Sequence, residues 1–293
     1  MLAAPPDVVA TAGRAATWAN RVRGLRLPWI PLTVLLLLAV CAIFAPWIAP
    51  HDPTAISMDH ARVPPGADWS FPLGTDVLGR DILSRLIFGA RTTMIISLTA
   101  LSSGVLLGTV LGLVSGYIGG WIDTLIMRTA DAALGFPTIL VAVIVVVMLS
   151  TGPESIIVAV ALTTWAQFAR MIRGEVLSIK QLDFVVAAQV AGLSTPRIII
   201  RHVFPNTISV MMVITSLLMG QVILLEASLG FLALGLPPGA PAWGVMVSEG
   251  RGVILDMWWL SLFPGLAITS VVLAFNFLGD WLRDTLDPRL RRI

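Results

Sequence analysis

Charged residues are scarce in this chain. Only 12% of its 293 residues are Asp, Glu, Lys or Arg, which is about half the share found in soluble domains. Hydrophobic residues make up 57%, and the mean hydropathy is +0.90. Cysteine occurs once, at Cys41, so no disulfide can form within the chain. This composition excludes a soluble fold and predicts an all-α polytopic membrane protein.

Lysine also occurs only once, at Lys180, and no Gly-x-x-x-x-Gly-Lys-Ser/Thr sequence is present. Because a P-loop requires that lysine, any ATP must be bound and hydrolysed by a partner. The three histidines, His51, His60 and His202, fall outside the apolar segments, which argues against an intramembrane Ser-His enzyme. With a single cysteine they also form no metal-ligand cluster. The sequence therefore predicts a chain that is not an enzyme and holds no metal or cofactor of its own.

Six apolar segments are long enough, or nearly so, to cross a bilayer, at about 1.5 Å per residue. They lie at 29–49, 93–117, 126–149, 155–174, 207–232 and 257–279. With both termini in the cytoplasm, 14 of the 19 Lys and Arg residues fall at or near the inner side. The outer side keeps Arg62, Arg80, Arg85, Arg91 and Arg251. The positive-inside rule therefore supports six transmembrane helices with both termini inside.

Residues 1–28 precede the first span and are predicted to form a cytoplasmic tail. Trp18, Val22 and Leu25 recur on one side of a helix in this tail, with arginines opposite. Such a pattern is typical of a helix that lies at the membrane surface, although plain disorder is an equal alternative for so short a stripe.

Residues 29–293 are predicted to form one transmembrane domain. Between its first and second spans, residues 80–87 place charges on one helical face and apolar residues on the other, which predicts a short surface helix before the second span.

Glycines recur every fourth residue along the second span. Small residues at this spacing give a helix a smooth face that a neighbouring helix can approach closely. We therefore predict that these glycines have a packing role; they are Gly104, Gly108, Gly112 and Gly116.

Other residues within the spans suggest bends and a buried polar site. Pro137 lies in the third span, and three glycines occur along the fifth span and at its end: Gly220, Gly230 and Gly235. Proline and glycine at these positions indicate helices that bend around a cavity or gate. Glu226 is a carboxylate within the fifth span, where a charged group costs about 2.5–3.5 kcal/mol. A structural hydrogen bond to a neighbouring helix is favoured for it over direct contact with a transported solute.

The segment 175–206 is an inner loop between the fourth and fifth spans. It contains a helix with small residues, a turn at Gly192, a second helix begun by Pro196 and an expected stop at Pro205. Its apolar residues must be covered by membrane, by this chain or by a partner. They include Val185, Val190, Ile198 and Ile199.

This inner loop resembles the EAA loop of ABC-importer permeases. Ala187 and Ala188, then Gly192, then Pro205 fit the spacing of that family, although Val186 stands where the family has glutamate. Three longer stretches narrow the resemblance to the C-type membrane subunit of the dipeptide/oligopeptide/nickel importers. They are PLGTDVLGRDILSR at 72–85, EASLGFLALG at 226–235 and GDWLRD at 279–284.

The resemblance implies a type I ABC importer permease that forms half of a translocation pore in the bacterial plasma (inner) membrane. It implies as partners a homologous B-type permease, two cytoplasmic ATPase subunits that bind ATP and Mg, an extracytoplasmic substrate-binding protein and membrane lipid, with no nucleic acid. It assigns ATPase coupling to Asp183, Ala187, Ala188, Gly192, Arg197, Arg201 and Pro205. The path or gate is placed at Glu226, Ser228 and Gly230.

The leading hypothesis is import of short peptides, with nickel chelates, glutathione or opines as alternative cargoes. An ion-coupled secondary transporter, with Glu226 as its ion site, is a less favoured alternative because no matched broken helices are found. The outer loops, about 50–92 and 236–256, are expected to dock the binding protein. Their acids are expected at the rim of that surface; they are Asp52, Asp59, Asp68, Asp76, Asp81, Glu249 and Asp256.

Overall fold

A computed structural model describes residues 27–286, and ten α-helices organise that range. They are α1 Trp29–Ile48, α2 Ile82–Ile118, α3 Gly120–Leu134, α4 Thr138–Leu149, α5 Pro153–Ile179, α6 Asp183–Val190, α7 Thr195–Ile198, α8 Phe204–Phe231, α9 Trp243–Arg251 and α10 Trp259–Leu286. A short 3₁₀ turn, Met58–His60, lies in the first outer loop, and a π turn, Ile199–Val203, joins α7 to α8. The expected surface helix with Trp18, Val22 and Leu25 lies outside the described residues.

Five helical runs in the described range are long and apolar enough to cross a membrane: α1, α2, α5, the run from α7 to α8, and α10. A sixth crossing results if α3 and α4 are counted as one span, but these two helices meet at 91°. The third predicted span is therefore bent. Its bend falls at Pro137, which directly precedes α4 and disfavours helical backbone at the residue before it.

The expected short surface helix at residues 80–87 is wrong. α2 runs for 37 residues without a break, and residues 82–87 are its first turns. The carboxylate of Asp81 caps its amino end by accepting bonds from the backbone N–H groups of Leu83, at 3.3 Å, and Ser84, at 3.0 Å. The charges that suggested a solvent-facing surface are instead buried, because they pair with one another.

α2 and α5 approach each other closely along the row of glycines in α2. A Cβ atom added at Gly108 would lie 2.6 Å from the Cβ of Phe168, and one at Gly112 would lie 2.7 Å from the carbonyl oxygen of Ala169. Gly104 faces Thr164 and Gly116 faces Val176 in the same manner. Since lipid gives helices no hydrophobic reason to associate, this close backbone contact supplies the van der Waals packing that holds the pair together.

The helix does not stop at Pro205, contrary to the expectation from sequence. The chain remains helical from Thr195 to Phe231, and it widens into the π turn immediately before the proline. Pro205 has no N–H to donate, and the wider turn accommodates its ring. The side chain of Asn206 donates to the carbonyl oxygen of His202 at 2.6 Å, which satisfies one acceptor in the widened turn. Gly220 and Gly230 lie within this unbroken run.

We predict that Gly108→Ala lowers the stability of the protein by about 1–3 kcal/mol, because the added methyl group overpacks the contact with Phe168. Gly265→Ala in α10 is the matched control, since a Cβ there meets no atom within 4 Å. The measurement is the thermal unfolding midpoint of each variant in detergent. Equal midpoints for the two variants would contradict the close α2–α5 contact.

Candidate functional site

The inner segment ends its first helix in a glycine turn. Gly192 has φ +75°, a conformation that favours glycine. Its backbone N–H donates to the carbonyl oxygen of Gln189 at 3.0 Å, and that of Leu193 donates to Ala188 at 3.2 Å. These bonds satisfy carbonyl groups at the end of α6 and redirect the chain into α7.

α6 has one buried face and one uncovered apolar face. Val185 is fully buried and Ala188 nearly so, which fixes the helix against the rest of the chain. On the other side, Val186 and Val190, one helical turn apart, are exposed, and Val190 keeps 85% of its surface accessible. Phe184 lies on a different side of the helix, beside His202. An apolar face of this kind at the inner end of a membrane protein marks a contact site.

Two side chains tie this segment to the inner end of α2. Lys180 donates to the carbonyl oxygen of Gly116 at 3.0 Å, and Gln189 donates to the hydroxyl of Tyr117 at 3.1 Å. The segment is therefore held to the helix pair α2–α5.

The residues expected to couple to an ATPase are at the surface, with one exception. Ala188 faces inward, so its small size serves packing within this chain. The other six are exposed: Asp183, Ala187, Gly192, Arg197, Arg201 and Pro205.

A buried ionic network occupies the outer side. The carboxylate of Asp76 accepts from Arg80 Nε at 2.5 Å and from Arg85 Nη1 at 2.8 Å. Glu249 of α9 accepts from Arg85 Nη1 at 2.7 Å and from Arg80 Nη2 at 3.2 Å. Asp76 and Arg85 each expose only 1% of their surface. The network therefore joins the first outer loop, the start of α2 and α9.

Asp81 is buried beside this network. Its carboxylate accepts from the hydroxyl of Ser84 at 2.6 Å and lies 3.4 Å from Nδ1 of His51. The expectation that Asp76 and Asp81 are rim charges on a docking surface is therefore wrong, because both carboxylates are used in internal contacts.

Exposed acids remain on the outer loops at Asp52, Asp59 and Asp256, and Asp68 is partly exposed. Asp52 accepts bonds from the hydroxyl and the backbone N–H of Thr54, at 2.6 and 2.7 Å. These bonds favour the ionised form and lower the pKa of Asp52. The carboxylate of Asp52 therefore stays charged at neutral pH.

The three residues expected at a path or gate face different surroundings. Glu226 is 1% exposed and accepts a hydrogen bond from the hydroxyl of Thr93 in α2 at 3.2 Å. Gly230 packs against the backbone of Gly244 in α9, where a Cβ would lie 3.3 Å from the Cα atom. Ser228 is only partly buried and lies on a groove. Their assignment to the path stays a prediction.

Two grooves lie along α8. The inner groove has a volume of about 730 Å³ and is lined by α5, α8 and α10, through Met171, Glu175, Asn206, Ser209, Val210, Val213, Ile214, Leu217, Arg283 and Leu286. The outer groove, of about 350 Å³, is lined mainly by α8 and α9, through Ile139, Leu224, Ala227, Ser228, Phe231, Leu232, Gly244, Val247 and Ile268.

Sequence reasoning missed two sets of polar residues. One is the network of Arg80, Arg85 and Glu249, whose signal was a pair of arginines beside the acids of the first outer loop. The other is Gln167 and Gln221, whose signal was an amide side chain inside an apolar run.

Residues 108–292 match the family of binding-protein-dependent transport system inner membrane components. The chain belongs to this family, the permease subunits of ABC importers. Residues 20–65 also match the N-terminal transmembrane domain of oligopeptide transport permease C. This permease is therefore a multi-pass protein of the bacterial inner membrane and not an enzyme, since ATP hydrolysis belongs to partner ATPase subunits. The alternative of an ion-coupled secondary transporter is wrong.

Three relatives resemble the permease over most of their length. It is 42% identical over 257 residues to the glutathione transport system permease protein of Escherichia coli O6:K15:H31, covering 88% of this chain and 84% of that protein. It is 40% identical over 264 residues to the di/tripeptide transport system permease protein of Pseudomonas aeruginosa (89% and 87%). It is 39% identical over 274 residues to the dipeptide transport system permease protein of Bacillus subtilis (93% and 85%).

A solved structure of the methionine ABC transporter MetNI, in inward-facing conformations, has the same fold. The TM-score is 0.57 at 17% sequence identity, and the match covers 69% of this chain and 96% of that chain. This likeness confirms the expected importer permease fold. Permeases of the family work with a second permease, ATPase subunits and a binding protein.

We predict that Arg85→Met destabilises the permease by about 3–5 kcal/mol, because it leaves the buried Asp76 and the partly buried Glu249 without one of their cations. The exposed loop residue Arg62 is the control: Arg62→Gln should change stability by about 0.5 kcal/mol or less. Thermal unfolding in detergent measures both. Similar midpoints for the two variants would mean that the network contributes little.

Proposed function

We propose that this permease forms half of the translocation pore of an ATP-driven importer of short peptides. A homologous B-type permease forms the other half, two cytoplasmic ATPase subunits bind ATP and Mg²⁺, and an extracytoplasmic binding protein delivers the cargo. Support for the cargo comes from three relatives, at 39–42% identity, named for dipeptides, di/tripeptides and glutathione. These cargoes share peptide groups.

The uncovered apolar face of α6 is the observation that carries the coupling role. The chain has no P-loop, so the free energy of ATP hydrolysis must enter through a protein contact. Val186 and Val190 offer an apolar surface, and the exposed charge of Asp183 flanks it on the same side of α6. A closing ATPase dimer that grips this face would move the permease as a rigid body.

We predict that Val190→Asp reduces co-purification of the ATPase subunits at least tenfold, a loss of about 1.4 kcal/mol or more, because a charge must then be desolvated in an apolar contact. Leu255→Asp is the matched control. Leu255 is 95% exposed but lies on the outer side, in the turn between α9 and α10. Unchanged co-purification of the Val190 variant would show that the ATPase binds elsewhere.

The cargo is tested with the complete importer in proteoliposomes. We expect ATP-dependent uptake of a radiolabelled dipeptide, which requires the binding protein and is competed by unlabelled di- and tripeptides. Glutathione, a nickel chelate and an opine are the comparison cargoes. Uptake of one of these, with no peptide uptake, would overturn the peptide assignment and leave the permease role intact.

A further inference from the structure

Two glutamine side chains lie near the middle of membrane-spanning helices. Gln221 is about 26 Å from the start of α8, which is about 42 Å long, and Gln167 is about 21 Å along α5, which is about 40 Å long, at about 1.5 Å per residue. α5 and α8 pack against each other. The two helices run in opposite directions, and their outer ends meet where the backbone N–H of Gly152 donates to the carbonyl oxygen of Gly235. Gln167 is 15 residues from Gly152 and Gln221 is 14 residues from Gly235, so both glutamines lie at similar depth.

Neither amide has a hydrogen-bond partner among residues 27–286. Gln221 is exposed and Gln167 is partly exposed. An amide facing hydrocarbon without a hydrogen bond costs several kcal/mol, roughly 2–7 depending on the reference state. A position open to water or to a polar ligand avoids that cost.

Gln221 lies on the face of α8 that lines both grooves. Val213 and Leu217 of the inner groove precede it by two turns and one turn. Leu224 and Ser228 of the outer groove follow at three and seven residues. Residues three or four apart share one side of a helix, so Gln221 lies between the residues of α8 that line the two grooves.

Gln167 extends the inner groove in the same way. Met171 and Glu175 of α5 line that groove, and Gln167 is one turn before Met171 on the same side of the helix. The other side of α5 is different, because its exposed residues Val158 and Leu162 are apolar. Those side chains suit lipid, whereas the glutamines do not.

We propose that Gln167, Gln221 and Ser228 line the water-filled translocation path, and that the two glutamines form hydrogen bonds with amide groups of the passing solute. An amide side chain both donates and accepts, so it matches a peptide group whatever the side chains of the peptide are. It carries no charge, so it binds weakly enough to release the solute. The path does not depend on the identity of the cargo, whereas the amide contact rests on the proposed peptide function.

The path is tested by cysteine accessibility, with modification measured on this chain, where Cys41 is the only native cysteine. In a Cys41→Ala background, Gln167→Cys, Gln221→Cys and the nearly isosteric Ser228→Cys are introduced one at a time. The complete importer in proteoliposomes is exposed to a charged, membrane-impermeant thiosulfonate, without nucleotide and with ATP plus vanadate. Leu162→Cys and Leu106→Cys are the controls, at apolar positions that are exposed and line neither groove; Leu106 in α2 is 69% exposed.

We expect the three path positions to react at least tenfold faster than both controls in at least one of the two states. Rates no faster than the controls in both states, at any of the three positions, would overturn the proposal, because that position would then be covered by the partner permease or by lipid. The experiment uses no peptide, so its outcome is independent of whether the cargo is a peptide.

The amide contact is tested by the double variant Gln167→Leu/Gln221→Leu, with Leu162→Ala as the control. We expect dipeptide uptake at saturating binding protein to fall at least fivefold in the double variant, while ATPase co-purification stays unchanged. Unchanged uptake would overturn the amide contact. If the wild-type importer moves no peptide at all, it is the proposed cargo that fails.

Discussion

The hydrocarbon core of the bilayer offers no hydrogen bonds, and the permease depends on that constraint throughout. Every polar group at membrane depth must find a partner in the protein or face water. Glu226 meets this requirement in part: one carboxylate oxygen accepts from the hydroxyl of Thr93 in α2 at 3.2 Å, and the other is buried with no partner within residues 27–286. The glycine face of α2 follows from the same condition, because without a hydrophobic drive two helices associate only if their surfaces fit closely. Gln167 and Gln221 also have no partner within residues 27–286, but unlike Glu226 they are open to the surface, which is the observation behind the proposed path.

On the outer side, the permease buries a network of charged side chains. Asp76, Arg80, Arg85 and Glu249 contribute two charges of each sign, so the network is neutral as a whole. Burying it still requires removal of water from four charged groups, which can cost more than their mutual attraction returns. The main consequence of the network is that it fixes how three elements are arranged. Each arginine contacts both carboxylates, so the outer loop, the start of α2 and α9 have one mutual arrangement that keeps all four ion pairs. Within residues 27–286, Nε and Nη2 of Arg85 are buried without a hydrogen-bond partner.

Sequence alone predicted the class of protein and the number of candidate crossings, because these follow from hydropathy and from long motifs. It failed for residues 80–87, where charges on one helical face indicated solvent. The prediction assumed that each charged side chain needs water. It does not hold here, because Arg85 pairs with the carboxylate of Glu249, 164 residues further along the chain. It failed again at Pro205, since a proline stops a helix only when the backbone cannot widen to accept it. Ala188 was assigned to the docking face because spacing identifies a small residue but not the direction in which it points.

α8 connects the inner segment with both grooves. It is continuous with α7 through the π turn, so residues Thr195 to Phe231 form one helical run. The connection between α6 and α7 is different, because it passes through Gly192, a residue that tolerates a wide range of backbone conformations. A force applied at α6 is also carried to α2 through Lys180 and Gln189. α6 is therefore linked to the groove-lining helix α8 through the glycine turn at Gly192. Two hydrogen bonds link the same segment to the α2–α5 pair. This arrangement lets a displacement at the inner surface change the relation between α5 and α8, two of the three helices that line the inner groove.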